Sequence, residues 1–210
     1  SRSEGELAES MVKHPRVCLV ENAVDLDAVP LSSEVDAPEV LVLNAGRVCF
    51  QKGPWRFLDV AKRCVQLPAR FIWIGDGELK NDLLDPTNVA RVTVTGWLSR
   101  DRVLAVLARG GVFLMTSLWE GMPLALIEAQ AAGIPAVVPN VIGCKDVVID
   151  GETGFVCDND EDMLARVKQL ITDPDLRKLM GHNAAELARK RFSVTRLNDE
   201  LLDLYAAPTE

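Results

Sequence analysis

The chain has no apolar run approaching the ~20 residues needed to span a bilayer. Its polar opening, SRSEGELAES, has no signal-peptide character. Cations are in deficit, with a formal net charge of −8. That excludes broad affinity for nucleic acid or anionic membranes, which both demand basic surface. A single phosphate can still be held by a local cluster of cations and backbone amides. The five cysteines (Cys18, Cys49, Cys64, Cys144, Cys157) form no CxxC pair, and an odd number suits a disulfide framework poorly. The expectation is a reducing, cytoplasmic compartment in which the thiols serve as small buried hydrophobes. His14 and His182 lie far apart without metal-ligand spacing, so neither is expected to be a ligand or base. No G-x-G-x-x-G follows the first strand-like run, which argues against a dinucleotide oxidoreductase. Internal repeats and low-complexity tracts are absent.

What remains is a 210-residue chain, 48% hydrophobic and 26% charged, long enough for one sizeable α/β core. Strand-like runs recur: RVCLV, VLVLNAG, RFIWIGDG, RVTVTGW, GVFLMTS, IPAVVPN and a short GFVC. They are continuous rather than alternating, as expected of strands covered on both faces. Helical patterns lie between most of them, including GPWRFLDVAKRCVQL, GELKNDLL and SRDRVLAVLARGG. This rhythm predicts a Rossmann-like, doubly wound parallel sheet with helices on both faces. From about residue 160 the pattern turns helical, starting at an acidic cap, with Gly181 and the SVT after Phe192 as later boundaries. The expected division is 1–38 as an N-terminal strand and linker, 39–192 as the sheet domain, and 193–210 as a C-terminal helical tail. Asp25-Leu26-Asp27 has the D-x-D form of some metal sites, but its place in the linker reads as a solvated turn.

The segment TSLWEGMPLALIEAQAAGIP carries the most chemistry. Glu120 and Glu128 stand with seven residues between them, the first in a loop and the second in an apolar helix. Gly121, Met122, Pro123 and Leu124 form the mouth of that helix, with Pro123 suited to its first position. Free N–H groups and the positive dipole end make such a mouth an anion site. Glu128 lies about 8 Å beyond Pro123 along the axis, roughly the reach from a diphosphate to its ribose. A buried carboxylate needs partners, and ribose hydroxyls are one set; an exposed stripe of the helix is the alternative.

Other suspicious residues fall at consecutive strand ends, where open parallel sheets bind ligands. VLVLNAG leads through Gly46 to Arg47 and Lys52; RFIWI leads to Gly75, Asp76 and Gly77; RVTVT leads past Gly96 to Trp97 and Leu98. Each has an ordinary alternative. Arg47 and Lys52 can be surface cations, the glycines simple turns, and Trp97 a core residue instead of part of a base pocket. Beside the helix mouth, the two cations become phosphate ligands.

Together these residues resemble the C-terminal, donor-binding domain of retaining glycosyltransferases of family 4, with the GT-B fold. GRVCFQKG is similar to the family's Gly-Arg and Lys-Gly signature, GDGEL to its glycine turn, and EGMPLALIE to its E-x7-E motif. GETGFVCDND is similar to its D-G-x-x-G segment, starting from Asp150. The resemblance spans about Val17 to Tyr205. It implies a nucleotide-diphosphate sugar donor, with UDP or GDP as nucleotide. Arg47 and Lys52 would bind the diphosphate and Glu120 the sugar. Gly121 to Leu124 would supply amides, Glu128 would hold the ribose, and Trp97 and Leu98 would contact the base. It further implies retained configuration, no metal, polysaccharide or glycolipid assembly, and an N-terminal acceptor domain that this chain lacks. Peripheral membrane association would run through that absent domain, toward which the tail helix would pack. Two departures stand out: Ala23 in Asn22-Ala23-Val24-Asp25, where the family has Asn-Gly-Val-Asp, and Ile142-Gly143-Cys144-Lys145-Asp146, where it has Gly-Gly-x-x-Glu. A sugar-nucleotide epimerase of the same architecture and a non-catalytic nucleotide-binding module are the alternative functions.

Overall fold

A computed structural model describes residues 1–11, 18–32, 39–84 and 92–206. Six parallel strands form one sheet in the order β3-β2-β1-β4-β5-β6. They are β1 (Val40–Ala45), β2 (Ala69–Ile74), β3 (Val92–Val94), β4 (Val112–Leu114), β5 (Ala136–Pro139) and β6 (Gly154–Cys157). All of β4 and β5 is buried, which is why their sequence shows no polar alternation. The order reverses between β1 and β4, so the switch point of the doubly wound sheet lies there.

Helices cover both faces. On one side α4 (Arg100–Leu107), α5 (Leu124–Ala131) and α8 (Pro174–Arg191) close a core around Leu43, Phe113 and Ile134. On the other, α2 (Pro54–Arg63) and α7 (Asp160–Thr172) bury Phe57, Trp73 and Met163. There Phe57 meets Phe71 and Trp73 edge-on at 5.6 and 5.3 Å. Local chemistry sets several helix starts. Pro54 opens α2. The Asn159 and Asp173 side chains accept the N–H of Asp162 (2.9 Å) and Leu176 (3.0 Å) at the heads of α7 and α8. The remaining helices are α1 (Arg2–Met11), α3 (Lys80–Leu83), α6 (Cys144–Val147) and α9 (Val194–Ala206).

Several expectations need correction. Within RVCLV, Arg16 and Val17 lie outside the described residues, and Cys18 to Val20 form no strand. A strand needs a bonded neighbour. Here the chain bonds further on, where Val24 N–H donates to the Phe192 carbonyl at 2.9 Å and Val24 bridges Ser193. Gly181 is not a boundary, because α8 runs through it. The residue is small because a β-carbon there would stand 2.2 Å from the Gly133 carbonyl oxygen. Pro123 is the N-cap of α5, with an extended ψ of 114°, and Leu124 is its first helical residue. Cys64, Cys144 and Cys157 are buried, but Cys18 is exposed and Cys49 half-buried. Burial pushes the thiols of Cys64 and Cys157 up to about 11 and about 12, which keeps them protonated and unreactive. The boundary after Phe192 and the helix from Asp160 agree with the sequence reading. Asp25-Leu26-Asp27 is a turn, with Asp27 N–H donating to Asp25 Oδ1 at 3.2 Å.

Candidate functional site

The carboxyl ends of β1, β2 and β4 are tied together by backbone. Gly46 N–H donates to the Ile74 carbonyl at 2.9 Å, and Val48 N–H to the Asp76 carbonyl at 2.8 Å. The buried Trp73 indole donates to the Gly46 carbonyl at 2.9 Å. Gly75 has φ +145°, and a β-carbon on it would sit 2.1 Å from that same carbonyl oxygen. Only glycine satisfies both demands. After Gly46 the chain turns through a short 3-10 helix, Phe50–Lys52. Thr116 Oγ1 donates to the Lys52 carbonyl (2.8 Å) and Leu118 N–H to the Gln51 carbonyl (2.8 Å), which pin that turn to the loop after β4.

This pinning brings Lys52 Nζ within 2.5 Å of Glu120 Oε1. Both side chains are largely buried, at 17% and 7% exposure, so the pair is held out of bulk water. Lys52 also lies against Gly46, with Cε 3.4 Å from where a β-carbon on Gly46 would be.

Next to Gly46 opens a crevice of about 220 Å³. Gly46, Gly75, Trp97, Leu98 and Glu128 line it, with apolar walls from Ala45, Ile74, Val103 and Ala125. Five candidate residues from four chain segments thus share one cavity. Trp97 is 73% exposed, so it is no core residue. Glu128 is buried at the cavity wall, and Arg100 Nη2 stands 3.1 Å from its Oε1. Burial raises the Glu128 pKa above its ordinary 4.5, and Arg100 opposes that rise. The ion pair supplies a partner that the sequence reading left to a ligand. Arg100 was missed because only the fold carries the first residue of α4 to α5.

Other candidates lie around the cavity without lining it. The exposed Arg47 Nε pairs with Glu78 Oε2 at 3.2 Å, on the loop after β2. Asp76 caps its own turn, accepting the Gly77 N–H at 2.8 Å and Lys80 Nζ at 3.1 Å; these bonds hold its carboxyl below the usual range. Gly121, Met122, Pro123 and Leu124 form the entry to α5, which no side chain caps. Asn22 holds that entry in place, its Nδ2 donating to the Met122 carbonyl at 3.0 Å. Glu4 of α1 lies over the loop, with Oε1 3.1 Å from a β-carbon position on Gly121. Ser3 Oγ donates to Asp146 Oδ1 at 2.7 Å nearby. These α1 contacts have no signature in the sequence. Among the described residues, no three or more of His, Cys, Asp or Glu group together as a metal site, and no helix is long and apolar enough to cross a membrane.

The family model for glycosyl transferases group 1 matches residues 31–187. The chain belongs to this family. Among curated relatives, an Escherichia coli protein, UDP-Gal:alpha-D-GlcNAc-diphosphoundecaprenol alpha-1,3-galactosyltransferase, is 31% identical across 95% of this chain and 56% of its own length. Sulfoquinovosyl transferase SQD2 of Arabidopsis thaliana is 31% identical across 76% of this chain and 32% of its own. The chain therefore spans about half the length, or less, of these relatives. Among solved structures, S. aureus TarM in complex with Fondaparinux, alpha-GlcNAc-glycerol and UDP superposes with a TM-score of 0.86 at 21% identity, covering 99% of this chain and 43% of that one. Anabaena HepE in complex with UDP and glucose superposes at 0.79 and 20% identity, covering 91% and 57%. Such likeness shows the fold of this group 1 chain, which is one half of a GT-B architecture.

Proposed function

We propose that this chain is the donor-binding half of a retaining glycosyltransferase. It would help move a sugar from a nucleotide diphosphate to an acceptor hydroxyl in glycan assembly. One observation carries the reading: the crevice wall at Gly46 is also the contact surface of Lys52, so a nucleoside pocket adjoins a buried cation at the sheet's switch point. The base settles against Trp97 and Leu98, and Glu128 accepts hydrogen bonds from the ribose. The diphosphate passes Gly46 toward Lys52 and the amides of Gly121 to Leu124, while Glu120 meets the sugar's hydroxyls. Arg47 leaves Glu78 for the diphosphate. An exposed pair is worth only ~0–1 kcal/mol, so that exchange costs little.

As the sugar–oxygen bond breaks, charge grows on the leaving diphosphate. Lys52, Arg47 and the α5 dipole oppose it, and each such group contributes about 10²–10³ in rate. The leaving phosphate assists the incoming hydroxyl, and no resident metal takes part. In this proposal the present 210 residues bind donor, and a second domain completes the acceptor side.

Titration with UDP, GDP and ADP tests it. A bound nucleotide at 100-fold its Kd raises the melting temperature by about 5–10 °C. Arg47→Ala and Glu128→Ala reduce that rise, and EDTA leaves it unchanged. If none of the three nucleotides shifts melting, the donor site is refuted.

A further inference from the structure

The carboxyl edge of the sheet holds a second recess, lined by other residues than the crevice. An open groove of about 740 Å³ lies over the ends of β4, β5 and β6. Trp55, Asn140, Asp158, Asn159, Asp160 and Glu161 supply most of its chemistry. Ser117 also lines it; this residue is fully buried and its hydroxyl has no hydrogen-bond partner. A buried hydroxyl left unpaired is costly unless something reaches it.

Beside the groove stand three aromatic side chains that the fold leaves in water. Phe50, Trp55 and Trp119 are 61%, 43% and 54% exposed. The Phe50 ring lies 5.0 Å from that of Trp55 and 6.4 Å from that of Trp119. A contiguous aromatic surface of this kind marks an interaction site. It is also firmly placed: Gln51 Nε2 donates to the Trp119 carbonyl at 2.9 Å, within the same pinned loops that position Lys52 and Glu120.

Charge selects the occupant. The nearby cations are engaged, Arg56 with Asp160 and the Thr116 carbonyl, and Arg63 with both oxygens of Glu161. Asn140 Nδ2 donates to Asp158 Oδ1 at 2.8 Å, so carboxylates and cations alike carry partners. Among the described lining residues, however, Asp158, Asp160 and Glu161 stand against the single guanidinium of Arg56 and leave the groove with a negative balance beside its aromatic faces. That combination repels phosphates and anionic lipids. It suits a neutral chain of pyranose rings, whose C–H faces pack on indoles and whose hydroxyls donate to carboxylates and amides.

We infer that this aromatic-lined groove binds neutral pyranose units of a glycan beside the transfer centre. Describing that glycan as the acceptor rests on the donor-site reading; the binding itself does not. The whole 210-residue chain is mixed with maltohexaose, chitohexaose or β-1,4-galactotetraose and observed by saturation-transfer NMR. At least one oligosaccharide receives saturation from the indole protons. Trp55→Ala and Trp119→Ala each weaken that binding about 5- to 10-fold, and neither changes the melting shift given by UDP. Absence of transfer to all three sugars, or unchanged binding in the double variant, overturns the inference. So does association with phosphatidylcholine–phosphatidylglycerol vesicles, or dimerisation, that depends on the same two tryptophans in place of glycan binding. Loss of the UDP response with glycan binding intact would sink the donor reading and leave this one standing.

Discussion

At the scale of single residues, the two carboxylates of the E-x7-E segment live in different environments. Glu120 has a buried cationic partner at 2.5 Å, whereas Glu128 has Arg100, whose side chain is 56% exposed. Removing the Lys52 amine strands a buried charge, which costs about 3 kcal/mol. Lys52→Ala should therefore lower stability by that order in urea titrations, and adding Glu120→Gln should restore part of the loss. Full additivity of the two changes would show that the pair does not couple. Glu128 gives a pH signature. Its pKa is raised in the folded protein, so the stability it contributes is complete below the unfolded value near 4.5 and is lost as pH climbs through the raised one. Glu128→Gln should remove that decline, giving a flatter melting profile from pH 4 to 7 while weakening nucleotide binding. An identical slope in both proteins would contradict the assigned environment.

Elements repeat the lesson that small residues mark contacts the chain order hides. Gly181 of α8 meets the Gly133 backbone in the turn just past the end of α5, where the two helices pack together. Gly181→Ala should cost about 1–3 kcal/mol through overpacking, measured by chemical denaturation. A neutral result would mean that the two helices part without penalty. The apolar runs of β1, β4 and β5 and the acidic start of α7 were legible locally, because burial on both faces and end-capping write themselves into adjacent residues. The interior position of Gly181 was not, since a glycine kept for a tertiary approach looks the same as one that ends a helix. RVCLV misled for the same reason: strand composition does not supply a strand partner. At the site, the glycine turns and the E-x7-E spacing named Gly46, Gly75 and Glu128, which the structure brings around one crevice. The Glu128–Arg100 pair, the Asn22 tie to Met122 and the Glu4 contact all join distant segments and left no local trace.

Across the whole molecule, order is unevenly distributed. The sheet and its flanking helices hold most of the buried residues, whereas α1 and α9 bury none. Amide hydrogen exchange should release α1 and α9 first and β1 and β4 last, and protection of α9 equal to that of β4 would contradict the burial pattern. The four tryptophans are spread in the same uneven way. Trp73 is sealed in the core and anchored to Gly46, Trp97 lines the crevice, Trp55 lines the groove, and Trp119 joins Trp55 through the Phe50 ring. The protein thus carries its own optical gauge. With Trp55 and Trp119 replaced by phenylalanine, Trp73 should supply a blue-shifted baseline, and nucleotide-dependent quenching should originate at Trp97 and disappear on adding Trp97→Phe. Quenching that survives this change would place the base elsewhere.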